Sequence, residues 1–355
     1  MPDEAKSYNI NLLSEENIKK YVLPRYGLEN AEITQIKFKD TDKQRAVYKI
    51  TIDEKYYCLK KVYFPMEELL FVYSAVEWLY RNDIKVPRIL PTKDNNRYAI
   101  FEDMLFILTP WIEGSKCSYD NISNVLDSSS NLARIHRRTK NFAPIKGSSK
   151  REGVEDLYTS FFKHFQQILL CSNLAFRYGD KFSKMFLQHF DSNLLLAQTA
   201  VEVAATIDNS KLSTSLCHLD YVNKNIIFDD SGSPWTIDFD KCKIDFSVHD
   251  VSYFLRRLLK RDNTKWDLEL TINILKLYEE INPLNFDEYK YILVYLSFPQ
   301  KFWKISRDYY NNINKCNKNS FVTLLSKTNE KNDYQLKFIE GFSAYIEKKF
   351  NQRLN

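Results

Sequence analysis

The sequence predicts an α+β fold in which a small antiparallel sheet precedes a large, mainly helical region. Between residues 32 and 62, apolar and polar residues alternate over three short runs that turn residues separate, which is typical of an antiparallel meander. After residue 111, apolar positions recur three and four residues apart, as in amphipathic helices. A chain of 355 residues is long enough for two lobes, and we predict them at 1–110 and 111–355.

The first lobe is predicted from its turn and cap residues. Ser14, followed by two glutamates, predicts a short helix over 14–26, and strands are predicted at 33–38, 46–52 and 56–62. Pro65 predicts the start of a helix over 66–81, which ends before Val86 and Pro87. Further strands are predicted at 86–90, 97–101 and 105–109.

The second lobe is predicted to consist mostly of helices. His136, near the end of the first of them, is interpreted as a packing or hydrogen-bonding residue rather than a catalytic one. The basic and aromatic runs at 254–266 and 301–315 are explained as ordinary amphipathic helices. The predicted helices span 123–140, 156–170, 181–207, 248–260, 266–281, 286–297, 300–312 and 333–350.

Composition limits the classes of function. The net charge of +5 is too small to indicate a nucleic-acid partner, and no apolar run reaches the ~18 residues that a membrane span needs. The first residues lack the basic and apolar segments of a secretory signal. Six cysteines are scattered without a Cys-x-x-Cys motif, so we expect reduced thiols rather than disulfides or a zinc site.

Polar residues that suit phosphoryl transfer are concentrated at 216–245. Asp220 follows a short apolar strand, Asn225 comes five residues later, and Asp238 lies on the return strand of a hairpin turned by 230–234. The hairpin should bring Asp238 beside the loop that holds Asp220 and Asn225. Oxygen ligands suit Mg²⁺, and a carboxylate can orient an attacking hydroxyl, so Asn225 and Asp238 are predicted metal ligands and Asp220 the catalytic residue. The alternative is that these are ordinary turn residues.

Several segments resemble a known family. The stretch 216–245 resembles the catalytic and metal loops of the aminoglycoside-phosphotransferase and choline-kinase group, and the chain most resembles its CotS-type spore-coat family. The similarity covers nearly the whole chain. It is carried by LKKV at Leu59, WIEG at Trp111, LARIH at Leu132, IDFD at Ile237, YEEINPLNFDEY at Tyr278 and FPQKFWKI at Phe298.

This resemblance implies a bilobal protein-kinase-like fold with ATP and Mg²⁺ as cofactors. It assigns Lys60 to the α- and β-phosphates, whereas Lys61 should point to the other face of the strand. It places the inter-lobe hinge at 108–111, where the backbone at Thr109 and Trp111 would meet the adenine. It also implies that Asp250, in the first turn of its helix, braces the catalytic loop.

A kinase lysine needs a carboxylate that holds it in position. The helix at 66–81 offers two candidates. Glu68 lies in its first turns, nearer the sheet, and Glu77 is the alternative; either could also face solvent.

Two functions from different classes fit the sequence. In the first, the chain is an ATP- and Mg²⁺-dependent kinase of a small hydroxyl compound, a sugar or an amino alcohol. In the second, it is a catalytically inactive component of the spore coat. No glycine lies between Gly27 and Gly114, so the first hairpin would cover phosphates through Thr41, Lys43 and Arg45 instead, and Pro110 lacks an N–H in the hinge. Either function implies other spore-coat proteins as partners, with synthesis in the mother cell's cytoplasm and transfer to the coat.

Overall fold

A computed structural model describes residues 10–39 and 45–354. Thr41 and Lys43, which were expected to cover phosphates, lie outside the described residues. The strands are β1 (Glu32–Lys39), β2 (Arg45–Ile52), β3 (Lys55–Lys61), β4 (Ala99–Phe101), β5 (Met104–Pro110), β6 (Ser115–Lys116), β7 (Thr214–Cys217), β8 (Ile226–Phe228), β9 (Pro234–Thr236) and β10 (Lys243–Phe246). The helices are α1 (Glu15–Tyr21), α2 (Met66–Arg81), α3 (Ile122–Arg138), α4 (Leu157–Tyr178), α5 (Lys181–Gln188), α6 (Phe190–Ala204), α7 (Ser247–Leu259), α8 (Leu268–Glu279), α9 (Phe286–Ser297), α10 (Gln300–Asn311), α11 (Lys318–Asn329) and α12 (Asn332–Phe350).

The chain forms two compact units. The first unit contains the described residues up to Cys117 together with 141–151 and 223–242, and the second contains 118–140, 152–222 and 243–354. This division does not follow the predicted boundary at residue 110. Segment 223–242 belongs with the first unit because β8 pairs with β6 and because Thr236 N–H donates to the carbonyl of Lys85 at 3.0 Å.

The first unit is built on an antiparallel five-stranded sheet in the order β1-β2-β3-β5-β4. As predicted, α1 is capped by Ser14, whose hydroxyl accepts from the N–H of Asn17 at 3.3 Å. Buried apolar side chains of the sheet and of residues 12–31 form one core, and Tyr48 anchors it by donating its hydroxyl to the carbonyl of Leu13 at 2.6 Å. The sheet therefore holds β3 in a fixed position with Lys60 near its end.

The second unit is mainly helical, with α9 at its centre. Asn285 and Glu288 form a capping box at the start of α9, and its residues from Asp287 to Ser297 are all buried. A two-stranded sheet of β7 and β10 lies beside the loop that follows β7. In the described part of the chain, no helix is both long and apolar enough to cross a membrane.

The α+β class is confirmed, and helices α2 and α9 have the predicted bounds. Several details differ from the predictions, and among them α4 continues to Tyr178, whereas that helix was expected to end at residue 170. Residues 86–90 form only a bridge between Leu90 and Leu108 rather than a strand. The predicted helix at 181–207 breaks at His189, which ends α5 and precedes α6, and α11 was not predicted.

Candidate functional site

The hairpin of β8 and β9 places Asp238 next to Asn225, as predicted. Ile226 pairs with Thr236, and the N–H of Ile237 donates to the carbonyl of Asn225 at 3.0 Å. The turn is held by Asp229, whose carboxylate accepts the N–H groups of both Ser231 and Ser233 at 3.0 Å. Asp238 itself has a left-handed backbone, with φ of 66°. The strained conformation at Asp238 fits a functional position.

Lys60 is the cation of the site. Its Nζ lies 2.7 Å from Oδ1 of Asp238 and 2.7 Å from Oδ1 of Asp240. Burial alone would lower the pKa of Lys60, but the charges of Asp240 and Asp238 outweigh it and raise the pKa. Lys60 is therefore charged and is shared between two carboxylates.

Neither helix glutamate holds Lys60, and the predicted pairing with Glu68 or Glu77 is not found. Glu68 lies 3.6 Å from the guanidinium of Arg151, and Glu77 is paired with Arg81 and Arg88 at 2.7 and 2.9 Å. The physical reason is that arginines already satisfy both carboxylates. Segment 141–151 packs on α2, where the N–H of Ser149 donates to the carbonyl of Glu67 at 2.9 Å.

Asp240 is a further candidate residue of this site, and the sequence analysis did not name it. It is only 6% exposed, and its Oδ2 is buried without a hydrogen-bond partner. Its carbonyl accepts from Nη2 of Arg151 at 2.6 Å. The repeated aspartate of Asp238-Phe239-Asp240 was the only signal for it in the sequence. A buried, unsatisfied carboxylate oxygen is costly unless a cation or donor compensates it.

These side chains line one cavity of about 460 Å³ in the first unit. Lys60, Asn225, Asp238 and Asp240 lie at its polar end, and Thr109 and Trp111 from the predicted hinge also line it. Lys61 lines it as well, although only one of the two lysines was expected to do so. Its apolar wall is formed by Val47, Val72, Val76, Ile89, Ile107, Ile227 and Ile237. The cavity therefore combines an apolar compartment with a charged end.

The hinge has few free donors toward this cavity. Pro110 has no N–H, and the N–H of Trp111 already donates to the carbonyl of Tyr56 at 3.0 Å. Any planar ligand there would depend mainly on apolar contacts.

Asp220 belongs to the second unit, in the loop after β7. Asp220 is 9% exposed. Its N–H donates to Nδ1 of His218 at 3.2 Å, and the hydroxyl of Tyr253 lies 3.4 Å from its Oδ1. The preceding residue, Leu219, has a left-handed backbone with φ of 57°. The loop therefore holds a conformation that a leucine adopts at a cost.

Asp250, in the first turn of α7, fixes this loop. Its carboxylate accepts the backbone N–H of His218 at 2.5 Å and of Leu219 at 2.8 Å. Burial would raise the pKa of Asp250, but its hydrogen bond to His136 and the charges of His136 and His218 lower it. His136 is buried between Asp250 and the hydroxyl of Tyr278, so its predicted hydrogen-bonding role is confirmed.

The sheet with its lysine-bearing third strand, followed by a helical unit, defines a kinase-like phosphotransferase fold. Residues 40–284 match the model of the phosphotransferase enzyme family (APH), and the chain belongs to this family. The chain is also similar to spore coat protein S of Bacillus subtilis (strain 168), with 21% identity over 306 residues, which is 83% of this chain and 85% of that protein. Both parts of the resemblance noted in the sequence are thereby confirmed.

Solved structures confirm the fold. An aminoglycoside phosphotransferase from Alicyclobacillus acidocaldarius superposes with a TM-score of 0.76 at 17% identity, covering 92% of this chain and 96% of that one. A spectinomycin phosphotransferase in complex with ADP and spectinomycin gives 0.59 at 18% identity, with 99% and 97% covered. An amicoumacin kinase in complex with AMP-PNP and Ca²⁺ gives 0.60 at 16% identity, with 92% and 94% covered.

Proposed function

We propose that this chain is an ATP- and Mg²⁺-dependent phosphotransferase that acts on an alcohol group of a small molecule. The observation that carries the proposal is that Lys60, Asn225 and Asp238 line one cavity together with the hinge residues Thr109 and Trp111. A cationic lysine suits nucleotide phosphates, and the apolar wall suits an adenine ring.

The oxygen side chains of this cavity fit a hard divalent cation. Asn225, Asp238 and Asp240 offer amide and carboxylate oxygens, which are the ligands that Mg²⁺ prefers. The unsatisfied Oδ2 of Asp240 supports a cation at this place. When bound, Mg²⁺ would neutralise charge on the transferring phosphoryl group. Asn225 and Asp238 remain the proposed ligands, and Asp240 is added to them. Lys60 would then release the carboxylates and hold phosphate oxygens.

Asp220 is proposed as the residue that orients the acceptor hydroxyl and accepts its proton, on the basis of its place in the sequence, five residues before Asn225. The bonds from His218 and Leu219 to Asp250 support this role, because they fix the loop before substrate arrives. Glu68 is still proposed to lie near the nucleotide. The link is Arg151, which contacts both Glu68 and the carbonyl of Asp240.

The acceptor is proposed to be a sugar or an amino alcohol. Relatives of this fold include an aminopropanol kinase as well as the spectinomycin and amicoumacin enzymes. The similarity to spore coat protein S supports an association with the spore coat and its proteins, after synthesis in the mother cell.

A second candidate is a coat component that keeps the fold without turnover. The observation that favours it is the hinge, where Pro110 has no N–H and Trp111 donates its own to Tyr56. The lack of glycine in the first hairpin points the same way.

Thermal unfolding with and without Mg²⁺-ATP separates the two candidates. A nucleotide at a hundredfold excess over its dissociation constant should stabilise the chain by about 2.7 kcal/mol. The variant Asp238→Asn should lose most of this gain, whereas Asp230→Asn, at an exposed position of the hairpin turn, should keep it. Absence of any shift at millimolar nucleotide would instead support the coat component without nucleotide binding.

A further inference from the structure

A second cavity, of about 370 Å³, lies in the second unit and has no part in the proposed phosphoryl transfer. It forms at the end of α7, the start of α10 and the junction of α11 with α12. Four lysines line it, and the two carboxylates of its lining are those of Asp262 and Glu330. The lysines are Lys260, Lys301, Lys327 and Lys331.

Most of the positive charge in this cavity has no counter-ion. Lys331 is paired with Asp262 at 2.5 Å and donates to the carbonyl of Lys260 at 2.9 Å. Within the described residues, no carboxylate lies at ion-pair distance from Lys260, Lys301 or Lys327. The lining therefore carries four lysines against two carboxylates, and two of these lysines, Lys301 and Lys327, are exposed.

A buried guanidinium lies near this cavity but outside its lining. Arg256 lies one turn before Lys260 on α7 and is only 9% exposed. Its described partner is Tyr295, whose hydroxyl it contacts at 2.8 Å, and its Nη1 is buried without a hydrogen-bond partner. The guanidinium also lies over the ring of Tyr295, 4.0 Å from its centroid, so the aromatic ring offsets part of the cost of burying its charge.

The pKa of Lys260 responds to its burial and to the positive charges around it. Burial and the nearby charges of Arg256, Lys301 and Arg257 together lower the pKa of Lys260 to about 7. An anion in the cavity would reverse these effects.

The start of α10 adds a directed partial charge. Pro299, Gln300, Lys301 and Phe302 all line the cavity. This helix of 12 residues has no side-chain cap and no acidic residue in its first turn. The N–H of Gln300 already donates to the carbonyl of Phe298 at 2.8 Å, so the positive end of the dipole and the N–H groups of Lys301 and Phe302 remain for an anion.

We propose that this cavity binds a small compound that carries a phosphate or sulfate group. Lys260, Lys301 and the start of α10 hold the oxyanion. The volume is within the range of about 300–1,000 Å³ that small-molecule sites occupy, so it exceeds the need of a bare ion. Trp266 and Phe302 supply an apolar wall for the organic part. This site is independent of the proposed kinase activity.

The test is isothermal titration of the full chain with sulfate, without nucleotide or Mg²⁺, at an ionic strength held constant with chloride. Sulfate should bind in the millimolar range or tighter, and the double variant Lys260→Met/Lys301→Ala should weaken binding by about tenfold or more. Lys304→Ala removes an exposed lysine of the same helix outside the cavity and should leave binding unchanged. Glucose 6-sulfate should bind more tightly than sulfate, because its sugar ring reaches the apolar wall.

Two outcomes would overturn the proposal. One is equal sulfate affinity in the double variant and in Lys304→Ala. The other is loss of sulfate binding in Lys60→Ala but not in the double variant, which would place the anion in the first-unit cavity. Should the double variant fail to fold, Lys301→Ala alone, at an exposed position, must still weaken binding. None of these results depends on nucleotide binding, so failure here leaves the proposed function standing, and the reverse also holds.

Discussion

Lys60 shows how one side chain sets the state of the proposed phosphoryl-transfer site. In the chain without ligands it bridges Asp238 and Asp240 at 2.7 Å each, and so occupies with its ammonium the oxygens that we assign to a metal ion. A divalent cation at Oδ1 of Asp238 and Oδ1 of Asp240 would therefore displace Lys60, and nucleotide phosphates would offer the lysine another anionic partner. This arrangement predicts that metal binds weakly before nucleotide arrives.

Replacing Lys60 by methionine should expose this competition. Without nucleotide, Lys60→Met should bind Mn²⁺ about tenfold more tightly than the original chain, because two carboxylates lose their internal cation. Mn²⁺ titration followed by electron paramagnetic resonance measures this directly. Lys55→Met, at an exposed position of the same strand, is the matched control and should not change Mn²⁺ affinity. Weaker Mn²⁺ binding in Lys60→Met would contradict the displacement model.

At the scale of elements, helix α7 carries charged side chains with different roles at its two ends. Its first turn carries Asp250, which holds the loop of Asp220. Its last turn carries Arg256, and Lys260 just after it lines the proposed anion site. One helix therefore bears both a carboxylate that satisfies buried donors and cations that lack an anion. The two ends should respond to substitution in opposite directions.

Removal of the Asp250 carboxylate should destabilise the fold. Asp250→Ala leaves the buried N–H groups of His218 and Leu219 without acceptors, at a cost of about 1–3 kcal/mol each. Urea denaturation should show a total loss of about 3–5 kcal/mol, with Asp230→Ala as a control within about 0.5 kcal/mol of the original chain. A loss below about 1 kcal/mol for Asp250→Ala would mean that the loop finds other acceptors.

Lys260 should make stability depend on pH. Its pKa is lowered from 10.5 to about 7 in the folded chain, so between these values the unfolded chain binds more protons. Unfolding free energy should therefore rise as pH increases through this range, and the penalty of the charged form is largest below about pH 7. Charges that act on Lys260 come from Arg256 and Arg257 of α7 and Lys301 of α10, while Asp262 and Lys331 also border the cavity.

The measurement compares urea denaturation of the original chain and Lys260→Met at about pH 6 and about pH 9. Lys260→Met should be the more stable of the two at the lower pH, and the difference should shrink at the higher pH. A constant difference would show that Lys260 is solvated and ionised throughout.

At the scale of the whole molecule, all six cysteines are free thiols, as the sequence indicated. Four of them are buried, whereas Cys58 and Cys316 are partly exposed. Cys58 also lines the first-unit cavity, and burial raises the pKa of its thiol to about 11. A thiol reagent therefore reports on the occupancy of that cavity in the intact chain.

Alkylation of the folded chain at alkaline pH should modify Cys58 and Cys316 first, as peptide mass spectrometry can show. Mg²⁺-ATP should slow the modification of Cys58 several-fold and leave Cys316 unaffected, so Cys316 is an internal control. Equal rates at Cys58 with and without nucleotide would argue against nucleotide in this cavity.

The sequence predicted those features that local patterns determine. Helix α2 begins after Pro65 and ends before Val86-Pro87, and the hairpin at 226–236 follows from its turn residues. The partners of Lys60 could not be predicted in this way, because Asp238 lies 178 residues away and Arg151 had already satisfied Glu68. The break at His189 was missed because apolar periodicity continues across it, and no glycine or proline marks it.

The assignment of 223–242 to the first unit also depends on long-range pairing. Strand β8 pairs with Ser115–Lys116, which are too short and too polar to be predicted as a strand. Spacing therefore predicted the hairpin within 216–245, while the division of this segment between two units required coordinates.

The almost complete burial of α9 determines how its amide hydrogens exchange with solvent. Its amide hydrogens are shielded by neighbouring helices on every side, so solvent deuterons should reach them only when the second unit unfolds as a whole. The slowest-exchanging amides of this helix would then report the global free energy of that unit. Ligands that act on the second cavity should slow this exchange even though they touch no residue of the helix.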